Sequence, residues 1–162
     1  MTGIYYPTPE LVAEAWIGQR VPELVPAQVA GSLPADPSTW TQFGTKASNG
    51  RGFITCVAIP GSRPNPHVPI RATVVEVNSW AAFPQSNKPA WNVAAQNAEA
   101  IRNATEASTA KYTTALTLSL ANYRSAIVLS AYLIDEPRRM ANDPSGYARF
   151  AFYLEVDWAL GS

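Results

Sequence analysis

From Arg149 to Leu160 the chain alternates apolar and polar positions without a break. Phe150, Phe152, Leu154, Val156, Trp158 and Leu160 fall on one side of an extended backbone. Arg149, Ala151, Tyr153, Glu155 and Asp157 fall on the other. A sustained period of two predicts a half-buried β-strand. Two further strands are predicted by β-branched content. Phe53 to Ile59 is bounded by Gly50 and Gly52 before it and by Pro60-Gly61 after it. Ile70 to Asn78 places Arg71, Thr73, Val75 and Val77 on one face and Ile70, Ala72, Val74 and Glu76 on the other. Neither face is cleanly polar, which predicts a central strand covered on both sides.

Helical spacing appears twice. In YPTPELVAEAWIGQR, Thr8 is a fitting N-cap, Pro9 suits the first helical position, and Glu10 meets the positive end of the helix dipole. Leu11, Val12, Ala15 and Trp16 form the apolar stripe, with Gly18 or Pro22 as the stop. In PAWNVAAQNAEAIRNATEAS, which starts at Pro89, the stripe is Trp91, Ala94, Ala95, Ala98, Ile101 and Thr105. Gln96, Glu99, Arg102 and Asn103 point away from it. Its small alanine side chains let such a helix lie close to a sheet.

From Lys111 to Ile134 the pattern reads as strand, turn near Ala121-Asn122, then strand from Ser125, with helix an alternative for the first piece. Pro137 and Asp143-Pro144-Ser145-Gly146 make a loop. The predicted order is helix, strand, strand, helix, strand, strand, strand. That order implies an α+β fold, a mixed or antiparallel sheet of four to five strands with helices packed on one face. Residues 1–162 form a single domain in this plan. A proline-rich irregular segment at about 20–45 carries Pro22, Pro26, Pro34 and Pro37 and lies against something apolar. SRPNPHVP, residues 62–69, is a stiff extended connector because its prolines cannot donate to a ladder.

Composition narrows the function classes. Twelve basic residues balance twelve acidic ones, so no net field draws the chain to nucleic acid or anionic lipid. Only 15% of residues are charged, below the ~25% typical of soluble domains. Such a surface belongs either to a monomer coated in uncharged polar groups or to a chain covered by neighbouring subunits. No stretch approaches the ~20 apolar residues of a membrane-spanning helix. MTGIYYPTPE has no secretory-signal pattern, so a soluble protein made in a cytoplasm is expected.

The candidates for chemistry are few. Cys56, the one cysteine, lies in an apolar run that suits a buried, inert thiol. His67 stands alone in the proline-rich connector, where a solvated or interface role is more ordinary than that of a general base. Glu155 and Asp157 share a strand face, as solvated polar positions commonly do. GTKASNGRG has neither P-loop nor dinucleotide spacing. Arg138 and Arg139, with Arg124 and Arg149, form either a basic spot or scattered arginines paired with acids such as Asp135 and Glu136. No catalytic residue, metal site or cofactor is expected.

Four stretches resemble the tail terminator family of long-tailed (siphovirus-type) bacteriophages. They are PELVAEAWI with the proline-rich VPELVPAQVAGSLP; the strand–loop–strand unit GFITCVAIPGSRPNPHVPIRATVVEVNSWAA; the helix WNVAAQNAEAIRNATEA; and PRRMANDPSGYARF leading into FAFYLEVDWAL. The likeness is one of pattern over nearly the whole chain, and neck proteins of the stopper or adaptor kind share it. It implies a homohexameric ring that caps the tail tube, ends its polymerisation and meets the head–tail connector. Genomic DNA would pass through the lumen without sequence-specific binding. The protein would reside in the virion at the head–tail junction, with no membrane contact. Lys111 to Tyr132 is more apolar and Thr-rich than this family leads one to expect. The expected interface residues are Arg63, Asn65 and His67 of the proline loop, Trp80 and Phe83 after the second strand, and Arg138 and Arg139. A small enzyme or ligand-binding domain is the contrasting alternative.

Overall fold

The computed structural model describes residues 5–24, 26–42, 51–60, 67, 69–83, 89–106 and 116–161. In chain order these form α1 (Pro9–Arg20), β1 (Val29–Ala30), β2 (Thr41–Gln42), β3 (Arg51–Ala58) and β4 (Ile70–Ala82). After them come α2 (Trp91–Glu106), β5 (Leu116–Leu118), β6 (Ala126–Leu133), β7 (Arg138–Arg139) and β8 (Ala148–Leu160). The strands join in one mixed sheet ordered β1-β3-β4-β8-β6-β5, with β2 also on β3 and β7 also on β8. Both helices pack on the same face, so the α+β plan is as expected. Among the described residues the sheet has eight strands rather than four to five. The unanticipated ones, β1, β2 and β7, are two residues long, too short for any period to show.

α1 begins where its cap predicts, with the Leu11 N–H donating to Thr8 Oγ1 at 3.3 Å. It ends at Arg20, one residue before Val21-Pro22. Gly18 does not stop it. This glycine lies buried within the helix, where an added Cβ would stand 3.0 Å from Pro26 Cα, so it permits close approach of the following chain. The buried stripe is Val12, Ala13, Trp16 and Ile17, with Leu11 and Ala15 only half-buried at its margin. α2 starts at Trp91 and buries Val93, Ala94, Asn97, Ala98, Ala100, Ile101 and Thr105. It sits close enough to the sheet for Ser79 Oγ to donate to the Ala94 carbonyl at 2.8 Å.

β4 runs to Ala82, so Ser79, Trp80, Ala81 and Ala82 belong to the strand and are not its exit. It pairs with β8 from Ile70↔Ala159 to Ala81↔Ala148. The helix-covered face carries Val75, Val77 and Ala81 of β4 beside Phe152, Leu154, Val156 and Trp158 of β8, all buried. Thr73 is tolerated there because its Oγ1 donates to the Val156 carbonyl at 3.1 Å and accepts from Trp158 Nε1 at 3.3 Å. A buried hydroxyl so satisfied escapes the desolvation cost of an orphaned one. Between β6 and β8 the register shifts at Val128/Ser130. Leu129 is the extra residue, and the bulge turns Ala131 and Leu133 back toward the core while Leu129 stays exposed.

The expectation that β4 is covered on both sides needs correction. Ile70 and Ala72 are exposed, and Val74, Glu76 and Trp80 are half-buried. Both helices occupy the other face, and among the described residues cover here comes at the Trp80 end, from the proline-rich segment and Tyr147. That segment holds two 3-10 turns, Pro26–Gln28 and Pro37–Thr39, with the Asp36 carboxylate accepting from the Ser38 N–H at 2.9 Å. It rounds the β3 edge and buries Trp40 among Phe53, Ala82, Trp80 and Tyr147. Trp40 Nε1 donates to the Pro34 carbonyl at 3.1 Å, which satisfies its polar edge. A segment expected to be irregular thus carries two 3-10 turns and two short strands, and builds a second, smaller core. Replacing Trp40 by alanine is expected to destabilise the fold by about 3 to 5 kcal/mol in urea unfolding. A loss under about 0.5 kcal/mol, typical of surface positions, would mean that the segment is not part of the cooperative unit.

Candidate interaction surface on the helix-free sheet face

The helix-free face is built by alternate residues of four strands. β3 contributes Phe53, Thr55 and Val57; β4 contributes Ala72, Val74, Glu76, Asn78 and Trp80. β8 contributes Arg149, Ala151, Tyr153, Glu155 and Asp157; β6 contributes Ile127, Ser130 and Tyr132. At its covered end Arg149 is the junction. The guanidinium Nε donates to Asn78 Oδ1 at 2.7 Å, Nη2 to Glu76 Oε1 at 3.0 Å and Nη1 to Asp143 Oδ2 at 3.1 Å. Its carbon lies 5.1 Å from the Trp80 ring centroid, and Trp80 Nε1 donates to Thr55 Oγ1 at 2.9 Å. One planar cation therefore ties β4, β8 and the loop after β7 together, a geometry that a lysine point charge does not reproduce.

Asp143 anchors that loop. Burial works to raise its carboxyl, but hydrogen bonds from Ser145 and from Arg149 outweigh this and hold it below the usual aspartate value. The turn around it places Asn142 at φ 61° and Gly146 at φ 77°, both left-handed conformations.

Further along the face the acids have neutral partners. Ser130 Oγ donates to Asp157 Oδ2 at 2.9 Å, while Asp157 Oδ1 is buried and has no hydrogen-bond partner among the described residues. The Tyr132 hydroxyl donates to Glu155, and that hydrogen bond pushes its pKa up to about 12. Glu155 and Asp157 are thus engaged as strand-face groups. Around them stand exposed apolar side chains: Val57, Ile70 and Tyr132 on the face, with Leu129 in β6 and Ile134 just after it. Among the described residues, β5 pairs only with Ala126–Val128, which leaves Ser130–Leu133 without a strand neighbour on that edge. An exposed apolar edge of this kind favours association with another chain.

The expected interface residues fall in different places. Arg63 and Asn65 lie outside the described residues. His67 is exposed in a turn. Trp80 is half-buried under Arg149, and Phe83 is half-buried against the small core of Ala81, Ala90, Val93 and Ala94. Arg138 and Arg139 are exposed but project from opposite sides of β7. Arg138 pairs with Asp135 and lies over Tyr153, while Arg139 lies 3.9 Å from the centroid of Trp91 on the helix side. With Arg149 bound in its network and Arg124 at the Gly161 end of the sheet, the four arginines do not converge on one basic spot. Cys56 is buried, and desolvation pushes its thiol far above the range where thiolate forms at neutral pH. Among the described residues no group of three potential ligands is placed to hold a metal ion, and no helix is long and apolar enough to cross a membrane. Pattern reasoning missed Val57, Ile70, Leu129, Tyr132 and Ile134; the detectable signal was apolar residues at positions that alternate with the core set.

No family model matches the chain, and no curated protein matches it.

The Asp143 anchor has a pH signature. Its carboxyl titrates below an unfolded aspartate, so its stabilising contribution is complete above about pH 4 and is lost as pH falls through the lower folded value. Asp143→Asn should therefore unfold at lower urea than wild type at neutral pH, with the gap narrowing as pH falls below the unfolded aspartate value. An equal gap above and below that value would refute the carboxylate's role.

Proposed function

We propose that this chain is a structural subunit of a long-tailed phage, a tail terminator that forms a ring at the head–tail junction. The observation that carries the proposal is the one-sided sheet. Helices cover one face, and the other keeps Val57, Ile70 and Tyr132 exposed beside a β6 edge that, among the described residues, has a strand neighbour only at Ala126–Val128. A chain of balanced charge with only 15% charged residues suits burial of that surface against copies of itself. The order of helices and long strands agrees with the family pattern quoted above.

In this proposal six copies close a ring by a heterologous, head-to-tail contact. One side of the ring seats on the last ring of tube protein and offers no surface on which another could grow. The other meets the connector, and DNA crosses the lumen held by no base-specific contact. Termination is then geometric, and no residue is assigned a catalytic step.

Phage deprived of the protein should assemble overlong tail tubes, visible by negative-stain microscopy. Tails of normal length that fail to join heads would point instead to a stopper or adaptor. Purified protein should form rings alone or on tail tubes. A tight monomer that binds a small molecule saturably, and never adds to tubes, would overturn the proposal.

A further inference from the structure

Two charged surfaces sit at opposite ends of β6. Just before it, Arg124 lies 5.4 Å from the ring centroid of Tyr6, and Arg71 of β4 lies 5.9 Å from the same ring. Arg71 also lies 5.2 Å from the ring of Trp158, and Arg124 Nη2 donates to the Gly161 carbonyl at 3.1 Å. Tyr5 and Tyr6 are 60% and 58% exposed, and Tyr5 stacks at a tilt on Tyr123, 6.2 Å between centroids. Among the described residues neither arginine has a carboxylate within ion-pair distance. The result, among the described residues, is two guanidinium groups without an ion-pair partner held around exposed phenol rings. Arginine and tyrosine are the residue types enriched where protein interfaces concentrate their binding energy.

Just after β6, Glu136 meets α2. Glu99, Glu106 and Glu136 all surround Arg102, at 3.7, 3.2 and 2.6 Å. Three carboxylates against one guanidinium leave two negative charges, and all three acids are at least half exposed. Glu106 also stands in the last turn of α2, where the helix dipole disfavours a carboxylate and its i,i+4 pair with Arg102 is the local compensation.

The eight residues of β6 separate these surfaces by roughly 25 Å. That is about three Debye lengths at physiological ionic strength, so they do not neutralise each other within one molecule.

We propose that the Tyr5–Tyr6–Arg71–Arg124 surface of one copy docks on the Glu99–Glu106–Glu136 surface of the next. Because the two surfaces differ, the contact is head-to-tail, and repetition generates a ring. This rests on the ring proposal above and names the contact that would orient its subunits. An acidic surface on the same chain favours a protein partner over DNA, for which two arginines are a small footprint.

The test uses two full-length variants, Arg71→Glu with Arg124→Glu, and Glu99→Arg with Glu136→Arg, each checked for folding by circular dichroism. Because Arg71 touches Trp158, Arg124→Glu alone serves if the first variant fails to fold. Sedimentation velocity should show self-association weakened about tenfold or more in either variant, and in wild type as salt rises from about 50 to about 500 mM. Mixing the two variants should restore assembly beyond the dimer, since each then supplies the other's complement. Wild-type assembly that ignores both salt and reversal would overturn this contact while leaving the ring standing. Assembly that stops at a dimer would overturn the head-to-tail geometry. Protein that stays monomeric in every mixture and on tail tubes would overturn both.

Discussion

The antiparallel ladder between β4 and β8 is the constraint on which the rest of the molecule depends. Twelve paired positions, Ile70↔Ala159 to Ala81↔Ala148, run without a slip. A shift of one residue would send Phe152, Leu154, Val156 and Trp158 to the helix-free side and bring Glu155 and Asp157 against the helices. Burying those carboxylates without cations would cost far more than any alternative packing could return. The register is therefore set by the difference between the two faces of β8, and the neighbouring strands inherit it. β3 follows β4 residue for residue, and β6 follows β8 except at the Leu129 bulge, which keeps its core residues on the core side.

With both helices on one face, the other must be handled piece by piece. At one end the proline-rich segment seals it with Trp40, and Arg149 satisfies Glu76, Asn78 and Asp143 together. Toward the other end, hydroxyls of Ser130 and Tyr132 engage the acids, and apolar side chains remain open to water. A monomer gains nothing from that open surface. A subunit that stacks in a closed assembly gains the burial of it, and this asymmetry is the physical basis of the structural role proposed for the chain. The charged ends of β6 add orientation, since unlike charges select which surfaces may meet and like charges reject the wrong ones.

Some elements were legible because their signal is local. The cap at Thr8, the alternation of β8, the alanine-rich stripe of α2 and the turn at Ala121-Asn122, where Asn122 takes φ 66°, all appear where the residues place them. The expected interface residues were chosen from loops, because prolines and arginines stand out in a sequence. From the sequence Arg149 reads as a polar strand position and as one of four arginines that form a basic spot or pair with nearby acids. Its three partners come from β4 and from the loop before β8, up to 73 residues away, and no spacing along the chain announces such a junction.

What the amino-acid sequence determined by itself is the order and type of the helices and long strands, and the two faces of β8. Cap chemistry, periodicity and β-branching act between residues a few positions apart, so they can be read from the chain. Tertiary structure alone decided that β4 is open on one side, that Trp40 closes a second core, and that Arg138 and Arg139 project to opposite faces. It alone placed an arginine–tyrosine surface and a cluster of glutamates around Arg102 at the two ends of β6. Each of these depends on which distant segments occupy the same space, and that is fixed by packing and long-range register rather than by local pattern.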